Sequence, residues 1–415
     1  MITPSLVVSC LIFLLIALRQ WLPAALRIWH IMTAGAVVLL LLGEISPRDA
    51  IVAVDWNVIA YLFGVFAIAA ALYDSGISHA IGDRIAALQS PSLALAVLII
   101  AIALCAAVLT NDAAAVIGTP IVLMLANALR LPPVPLLIAL CATVTVGSMV
   151  SPVGNPQNIL IATTGQFHNP IATFALSLGV PTALSLGFVY GWSRFLIKRP
   201  ARIQQFDINS LPAPSGQARG WTAYLGLALL VILIGVDGVL QALGDGLKLP
   251  FGVASLIACT PIFAFGSRRI QTLKEIDWPT LAFFVAMFVV TGSLLQSGSL
   301  QAMLGAMQAR GELPVTAAIA FWGSQLFSNV PVVDIYLKLL GQGEVPTLIM
   351  LAGISTLAGN LFIISAASNV IVVQQAERMG ATPFTFWQFT VSVLPITLVS
   401  VAITYGWIIW MAGLR

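Results

Sequence analysis

Runs of about twenty apolar residues recur along the whole chain, and they limit its fold more than any other feature. A helix needs roughly 20 apolar residues to cross the hydrocarbon core of a bilayer. Sixty per cent of the 415 residues are hydrophobic and eight per cent are charged, whereas about a quarter of the residues in a soluble domain are charged. The sequence therefore predicts an all-α polytopic membrane protein without a separate soluble domain.

The two halves of the chain repeat each other. The stretch "DWNVIAYLFGVFAIAAALYDSG", which begins at Asp55, recurs 222 residues later as "DWPTLAFFVAMFVVTGSLLQSG". "LTNDAAAV" around Asn111 corresponds to "LFSNVPVV" around Asn329 at an offset of 218, and Asn158 corresponds to Asn369 at an offset of 211. Three landmarks in the same order at nearly constant spacing indicate an internal duplication.

The polar stretch 198–220 separates the two halves, 1–197 and 221–415, and its cations predict a cytoplasmic linker. Each half contains a paired apolar segment, predicted to be a re-entrant hairpin, and a segment interrupted by polar residues, predicted to be a broken helix. With such a hairpin each half crosses the membrane five times. The second half is then inverted relative to the first, as in secondary transporters, and both termini lie outside the cytoplasm. The predicted hairpins are 92–129 and 314–340, and the predicted broken helices are 135–167 and 346–374.

Polar residues interrupt the apolar segments at matching positions in the two halves. Broken helices expose N–H groups that attract anions, and their unwound carbonyl and amide oxygens bind Na⁺ or accept protons. The amide pairs Asn111/Asn155 and Asn329/Asn369 are the expected places for a transient Na⁺, and no permanent metal site is predicted. The residues predicted to bind substrate and coupling ion are Thr110, Asn111, Asp112, Ser151, Gly154, Asn155, Asn158, Ser328, Asn329, Asn360, Ser365, Ser368 and Asn369.

Asp112 is the most informative of these residues, because a carboxylate inside the bilayer is costly and tends to mark an ion pathway. We predict that it is the coupling carboxylate. The competing interpretation is that Asp112 only caps the start of a helix. Asp334 is the second choice for coupling, although Lys338 four residues later also suits a simple helical ion pair.

Several other functions lack their sequence signatures. The chain has no Walker A pattern, nucleophile elbow, dinucleotide fingerprint or His/Cys metal cluster, so we predict neither an enzyme nor a cofactor beyond Na⁺ or H⁺. The net charge of +3 does not indicate a nucleic-acid partner. Segment 77–89 has the spacing of an amphipathic surface helix, and 299–309 is its counterpart in the second half.

At "LTNDAAAVIGTPIVLML", "SPVGNPQNILIA" and "GNLFIISAASNVIVVQQAERMG" the chain resembles the ion transporter superfamily. More narrowly, it resembles the arsenite permease and NhaD-type sodium/proton antiporter group, and the related divalent anion–sodium symporters. The resemblance implies a scaffold, a transport domain with two re-entrant hairpins, a homodimer and an elevator mechanism. The Ser-Asn-Thr hairpin signature of dicarboxylate symporters is replaced here by Thr110-Asn111-Asp112 and Ser328-Asn329-Val330. A carboxylate at the first tip suits a site coupled to H⁺ or Na⁺ better than a dicarboxylate site.

We therefore expect a permease of the cytoplasmic membrane that moves a small anion or an oxyacid such as arsenite, coupled to H⁺ or Na⁺. Three alternatives stay open: a sodium/proton antiporter without an anion substrate, a passive anion channel, and the membrane subunit of an ATP-driven pump. The expected partners are the lipid bilayer, the substrate and a second copy of the chain. The sequence does not itself indicate a soluble ATPase partner.

Overall fold

The computed structural model describes residues 3–17, 26–88, 90–198, 220–244, 248–298, 312–340 and 343–413. These residues form 19 α-helices and one 3₁₀ turn, and they contain no β-strand. Seven of the described helices are long and apolar enough to span a membrane, and five more are shorter apolar helices. The prediction of an all-α polytopic membrane protein is therefore confirmed.

The helices of the first half follow the predicted order, with one short helix that the hydropathy pattern did not indicate (α3). They are α1 (Pro4–Ala17), α2 (Ile28–Leu41), α3 (Pro47–Ala53), α4 (Trp56–Asp74), α5 (Ile77–Ala86), α6 (Pro91–Val108), α7 (Asn111–Ala128), α8 (Pro133–Ser148), α9 (Pro156–Ala162) and α10 (Pro170–Ile197).

The second half repeats this order, again with one short additional helix (α13). Its helices are α11 (Trp221–Ala242), α12 (Phe251–Phe265), α13 (Arg269–Glu275), α14 (Trp278–Gln296), α15 (Leu313–Phe327), α16 (Asn329–Leu340), α17 (Val345–Ala358), α18 (Ala367–Arg378) and α19 (Phe386–Gly413). Most of the predicted linker, residues 199–219, and the predicted surface helix 299–309 lie outside the described residues.

Capping side chains set where the long helices begin. Asp55 accepts hydrogen bonds from the backbone N–H groups of Asn57 and Val58, and Asp277 accepts one from Thr280 at 3.2 Å. A carboxylate at this position satisfies N–H groups that have no partner within the helix. The two Asp-Trp sequences therefore start α4 and α14 in the same way, as expected for copies of one element.

The helices pack into two groups. The frame group contains α1–α4 and α11–α14, with α4 packed against α12, α12 against α11 and α14 against α2. The hairpin group contains α5–α10 and α15–α19; its two hairpins are α6 with α7 and α15 with α16, and each packs against the broken helix that follows it. The groups meet chiefly where α4 contacts α7 and α9, and where α14 contacts α16.

The two ends of the helix bundle differ in charge. At one end, here called the Arg268 face, Arg268 pairs with Asp74 at the end of α4 with an Nη1–Oδ2 distance of 3.2 Å. At the other end, the Lys248 face, the ammonium of Lys248 donates to the carbonyl of Phe167 at 3.3 Å. Most of the described Arg and Lys residues near helix ends lie on the Arg268 face. They are Arg27, Arg84, Arg130, Arg194, Lys198, Arg268, Arg269, Lys274 and Arg378.

Candidate transport site

The first hairpin turns at Leu109 and Thr110, which separate α6 from α7. The hydroxyl of Thr110 accepts a hydrogen bond from the N–H of Ala113 at 3.2 Å, and so caps α7. The N–H of Asn111 donates to the carbonyl of Gly154 at 2.8 Å. This bond fastens the hairpin tip to the break between α8 and α9.

Asp112 lies in the first turn of α7, with 4% of its surface exposed. Its Oδ1 atom has no hydrogen-bond partner among the described residues, and the side chain lines a cavity. Because Thr110 caps the helix, Asp112 is not required for capping. Asp112 therefore presents a free carboxyl oxygen to the cavity at the start of α7.

The first broken helix is held open by amide side chains. Asn155 accepts from the N–H of Asn158 at 2.9 Å and thereby caps α9. Asn158 donates to the carbonyl of Ser151 at 2.9 Å, and so satisfies a backbone group that the break removes from the helix. A side chain at Gly154 would collide with the carbonyl of Ser148, so only glycine fits there.

Thr356 links this break to the second half of the chain. Its hydroxyl accepts from the amide of Asn155 at 3.1 Å and from that of Gln157 at 3.4 Å. It also donates to Oδ1 of Asn158 at 3.4 Å. Neither Thr356 nor Gln157 was predicted from the sequence. Gln157 stands within the quoted "SPVGNPQNILIA" motif, whereas nothing local distinguishes Thr356 in the apolar helix α17.

The second broken helix repeats the arrangement of the first. The amide of Asn369 donates to the carbonyls of Gly359 and Phe362 at 3.1 and 3.4 Å. With the offset of 211, these are the counterparts of Ser148 and Ser151, to whose carbonyls Asn158 donates at 3.5 and 2.9 Å. The same amide therefore performs the same task in both copies.

The tip of the second hairpin lies against this break. Ser328 separates α15 from α16 with φ 71° and ψ 159°, a conformation that side-chain-bearing residues seldom adopt and that costs of order 1–3 kcal/mol. A Cβ atom added to Gly359 would lie 2.5 Å from the amide nitrogen of Asn329, so the absence of a side chain at Gly359 allows this close approach. Ser365 donates to Oε1 of Gln325 at 2.9 Å, which ties the break to α15.

Both hairpin tips open into one cavity of about 760 Å³. The predicted residues that line it are Asn111, Asp112, Ser328, Asn329 and Ser365, together with Gln157. The other predicted residues belong to the tips and breaks but do not line the cavity: Thr110, Ser151, Gly154, Asn155, Asn158, Asn360, Ser368 and Asn369. The sequence thus predicts the neighbourhood of the cavity but does not separate the residues that line it from those that do not.

Several polar atoms around the cavity are buried without a hydrogen-bond partner among the described residues. They are Asp112 Oδ1, Asn329 Oδ1, both amide atoms of Asn360, Ser368 Oγ and Asn369 Oδ1. Buried polar groups are almost always satisfied, by protein, water or ligand. In the first amide pair, by contrast, Asn111 Oδ1 accepts from the N–H of Asp112 and Asn155 Oδ1 from that of Asn158. Of the two pairs predicted to hold Na⁺, Asn329/Asn369 has the free oxygens.

The charge of the cavity changes along its length. Its outer part reaches the Arg268 face and is lined by the cations Arg27, Lys274 and Arg378 and by the acids Asp74, Glu275 and Asp277. Partial burial raises the pKa of Glu275 above its ordinary value, and a hydrogen bond from Gln271 opposes the shift. Among the described lining residues at the hairpin tips and breaks, Asp112 is the one ionisable group, and the others are amides, hydroxyls and apolar side chains.

Comparison with known proteins gives a consistent class. The citrate transporter family model matches residues 11–342. An uncharacterized transporter of Mycobacterium tuberculosis is 30% identical over 177 residues, which are 38% of this chain and 41% of that protein. The silicon efflux transporter LSI3 of Oryza sativa is 32% identical over 152 residues, 32% of this chain and 30% of that protein. The chain therefore spans less than half the length of these two curated relatives.

A solved structure shows the same fold over the full length. The YdaH transporter of Alcanivorax borkumensis superimposes with a TM-score of 0.53 at 15% sequence identity, and the match covers 99% of this chain and 98% of that one. At this identity the likeness concerns the fold alone.

Proposed function

The chain belongs to the citrate transporter family, and we propose that this secondary transporter moves a small oxyacid or its anion in exchange or symport with H⁺ or Na⁺. One observation carries the proposal: two hairpin tips and two helix breaks converge on one cavity, where Asp112 has an unpaired carboxylate oxygen. Paired broken helices at the centre of a duplicated membrane fold are a typical transport site.

The lining of the inner cavity favours a small, weakly charged substrate. Asn111, Gln157, Ser328, Asn329 and Ser365 supply both donors and acceptors, which suit the O–H groups and oxygens of an acid such as arsenite. No described Lys or Arg lines this part of the cavity, so a trianion would meet the Asp112 carboxylate without a compensating cation. The cations at the outer part would draw an anion towards the mouth.

The arrangement of the two halves supports an inverted duplication, 1–197 and 221–415. The equivalent hairpins α6/α7 and α15/α16 have their open ends at opposite faces, since Arg130 follows α7 on the Arg268 face and Lys338 ends α16 towards the other face. The cations on the Arg268 face support a cytoplasmic assignment for that face by the positive-inside rule. With five crossings per half in the cytoplasmic membrane, both termini would be extracytoplasmic and the cavity would open to the cytoplasm.

Replacing Asp112 tests the proposal. Purified protein in liposomes should accumulate arsenite, or another small oxyacid, in response to an imposed pH or Na⁺ gradient. Asp112→Asn should retain the fold and lose gradient-driven accumulation, because the coupling ion has lost its carboxylate. Asp83→Asn, on the exposed side of α5, is the matched control and should transport normally. Gradient-driven accumulation by Asp112→Asn at the normal rate would contradict the assignment.

The free carboxylate oxygen also favours a second candidate, a sodium/proton antiporter without an anion substrate. The same liposomes separate the two functions. Na⁺-dependent proton flux in the absence of any oxyacid would support antiport, whereas flux that requires the oxyacid would support the first proposal.

A further inference from the structure

The Lys248 side of the molecule is closed by polar contacts between the frame group and the hairpin group. The phenol of Tyr61 on α4 donates to the carbonyl of Val153, in the first helix break, at 3.3 Å. The hydroxyl of Thr291 on α14 donates to the carboxylate of Asp334 on α16 at 2.5 Å. Tyr61 is fully buried, and Thr291 and Asp334 are 1% and 3% exposed.

The second contact is reinforced by a cation. The ammonium of Lys338 lies 2.8 Å from Oδ2 of Asp334 and 5.5 Å from the ring centroid of Phe288 on α14. The hydroxyl of Thr291 also lies 3.2 Å from the carbonyl of Phe288, but a hydroxyl has one proton, and the shorter bond to a carboxylate is the stronger one. Asp334 and Lys338 thus form the helical ion pair considered from the sequence, and that pair contacts the frame.

The duplication shows what these contacts replace. With the offset of 222, the counterpart of Tyr61 is Phe283, and with the offset of 218 the counterpart of Asp334 is Val116. Phe283 and Val116 both line the open cavity. The residues that hold the two helix groups together at the Lys248 face therefore have counterparts in the other copy that line the open cavity towards the Arg268 face.

The two sides differ in chemistry as well as in opening. Phe283 has no hydroxyl, Val116 has no charge, and the counterpart of Thr291 is Ala69. When the Arg268 side closes by the equivalent movement, these apolar side chains can pack but cannot form the hydrogen bonds seen on the Lys248 side. A hydrogen bond made in one state and absent from the other shifts the equilibrium towards the state that contains it.

We propose that Tyr61 and Thr291 are positioning residues that bias the transporter towards the state open at the Arg268 face, by bonding to Val153 and Asp334 across the interface between the two helix groups. The bias is asymmetric because one copy of the duplicated interface is polar and the other apolar. This proposal rests on the alternating access of the proposed function, but not on the identity of the substrate or coupling ion.

The test introduces a cysteine at a position that is buried in this structure and that we expect to line the cavity when the transporter opens at the Lys248 face. Leu62 is 1% exposed, and its counterpart Phe284 lines the open cavity. Leu62→Cys is made in a background with Cys10, Cys105, Cys141 and Cys259 replaced by alanine. The full-length protein is reconstituted in vesicles, and the rate of reaction with a membrane-impermeant maleimide added on the Lys248 side is measured.

Thr291→Val and Tyr61→Phe should each raise this labelling rate about two- to tenfold, the effect expected from losing one net hydrogen bond. The matched controls are Thr397→Val, which removes a buried hydroxyl bonded within α19, and Tyr224→Phe on the exposed side of α11. Neither control should change the rate. Tyr61 is the chain neighbour of the labelled position 62, so Tyr61→Phe also changes the surroundings of the cysteine. The result with Thr291→Val therefore decides the test.

Equal labelling rates in Thr291→Val and its control would overturn the proposal. The assay needs no substrate, so its outcome is separable from that of the transport assay. A protein that moves no oxyacid but is labelled faster after Thr291→Val leaves the bias intact and refutes the proposed substrate. A protein that transports normally but shows unchanged labelling refutes the bias alone.

Discussion

At the scale of single residues, the candidate site depends on close approaches that only certain side chains allow. The carbonyl of Gly154 accepts a hydrogen bond from the N–H of Asn111 at 2.8 Å, and a Cβ atom on Gly154 would collide with the carbonyl oxygen of Ser148. Thr110 caps α7 in place of Asp112, which leaves Oδ1 of Asp112 without a hydrogen-bond partner among the described residues. Small and polar residues therefore shape the site more than charged ones do.

Substitution of Gly154 should show how tightly the first break is packed. Gly154→Ala forces a methyl group against a backbone carbonyl, which cannot rotate away, and we expect a loss of about 1–3 kcal/mol of stability or more. Gly179→Ala, in the middle of α10 with no atom within 4 Å of the added carbon, is the control. Thermal unfolding in detergent measures both. Equal melting temperatures for Gly154→Ala and the unmodified protein would mean that the break can relax.

At the scale of elements, the two broken helices are copies in which an asparagine side chain satisfies the backbone carbonyls that the break frees. Each break frees carbonyls inside the membrane, where unsatisfied backbone groups are costly. Asn158 and Asn369 satisfy those carbonyls at equivalent positions. The copies differ at the start of the following helix, where Asn155 caps α9 and Ala366 stands before α18 without a side-chain cap.

Alanine substitutions should reveal this shared role. Asn158→Ala and Asn369→Ala each leave buried carbonyls without a partner, so each should cost about 1–3 kcal/mol of stability. Asn127→Ala, on the partly exposed side of α7, should have little effect and serves as the control. Unfolding is followed in the absence of substrate, so that lost binding is not read as lost stability. If only one of the two substitutions lowers stability, then Asn158 and Asn369 are equivalent in their geometry but not in their contribution to stability.

At the scale of the whole molecule, the cavity and the charges together indicate which way the site opens. The cavity runs from the hairpin tips to the Arg268 face, and most cations of the described helix ends lie there. The frame group and the hairpin group meet along α4 and α14, which begin at opposite ends of the bundle. This arrangement suits movement of one group past the other, as the resemblance to elevator transporters implies.

Labelling from each side of the membrane tests this orientation. Ala367 is exposed and lines the cavity, so Ala367→Cys in the cysteine-free background should react with impermeant maleimide in inside-out vesicles. Arg48 is exposed on α3, so Arg48→Cys should react only in right-side-out vesicles and is the paired control. The reverse pattern would place the Arg268 face outside the cytoplasm.

What the sequence determines by itself is local or periodic. Apolar runs predict the spans, polar residues within apolar segments predict the broken helices 135–167 and 346–374, and the nearly constant offsets predict the duplication, because each depends on a short stretch of chain or on comparing two such stretches. Asn111, Asp112, Ser328 and Asn329 were likewise predicted at helix starts and tips, where they lie.

Only the tertiary structure decided which polar groups meet. Thr356 joins Asn155, Gln157 and Asn158 across about 200 residues of chain, and Thr291 joins Asp334 from another helix group. A threonine in an apolar helix gives no local sign of its partner, since its helix forms with or without it. The open face of the cavity also follows only from the tertiary structure: the two copies differ in sequence at the contacts between the helix groups, but only the packing of the groups shows that the polar copy is the closed one.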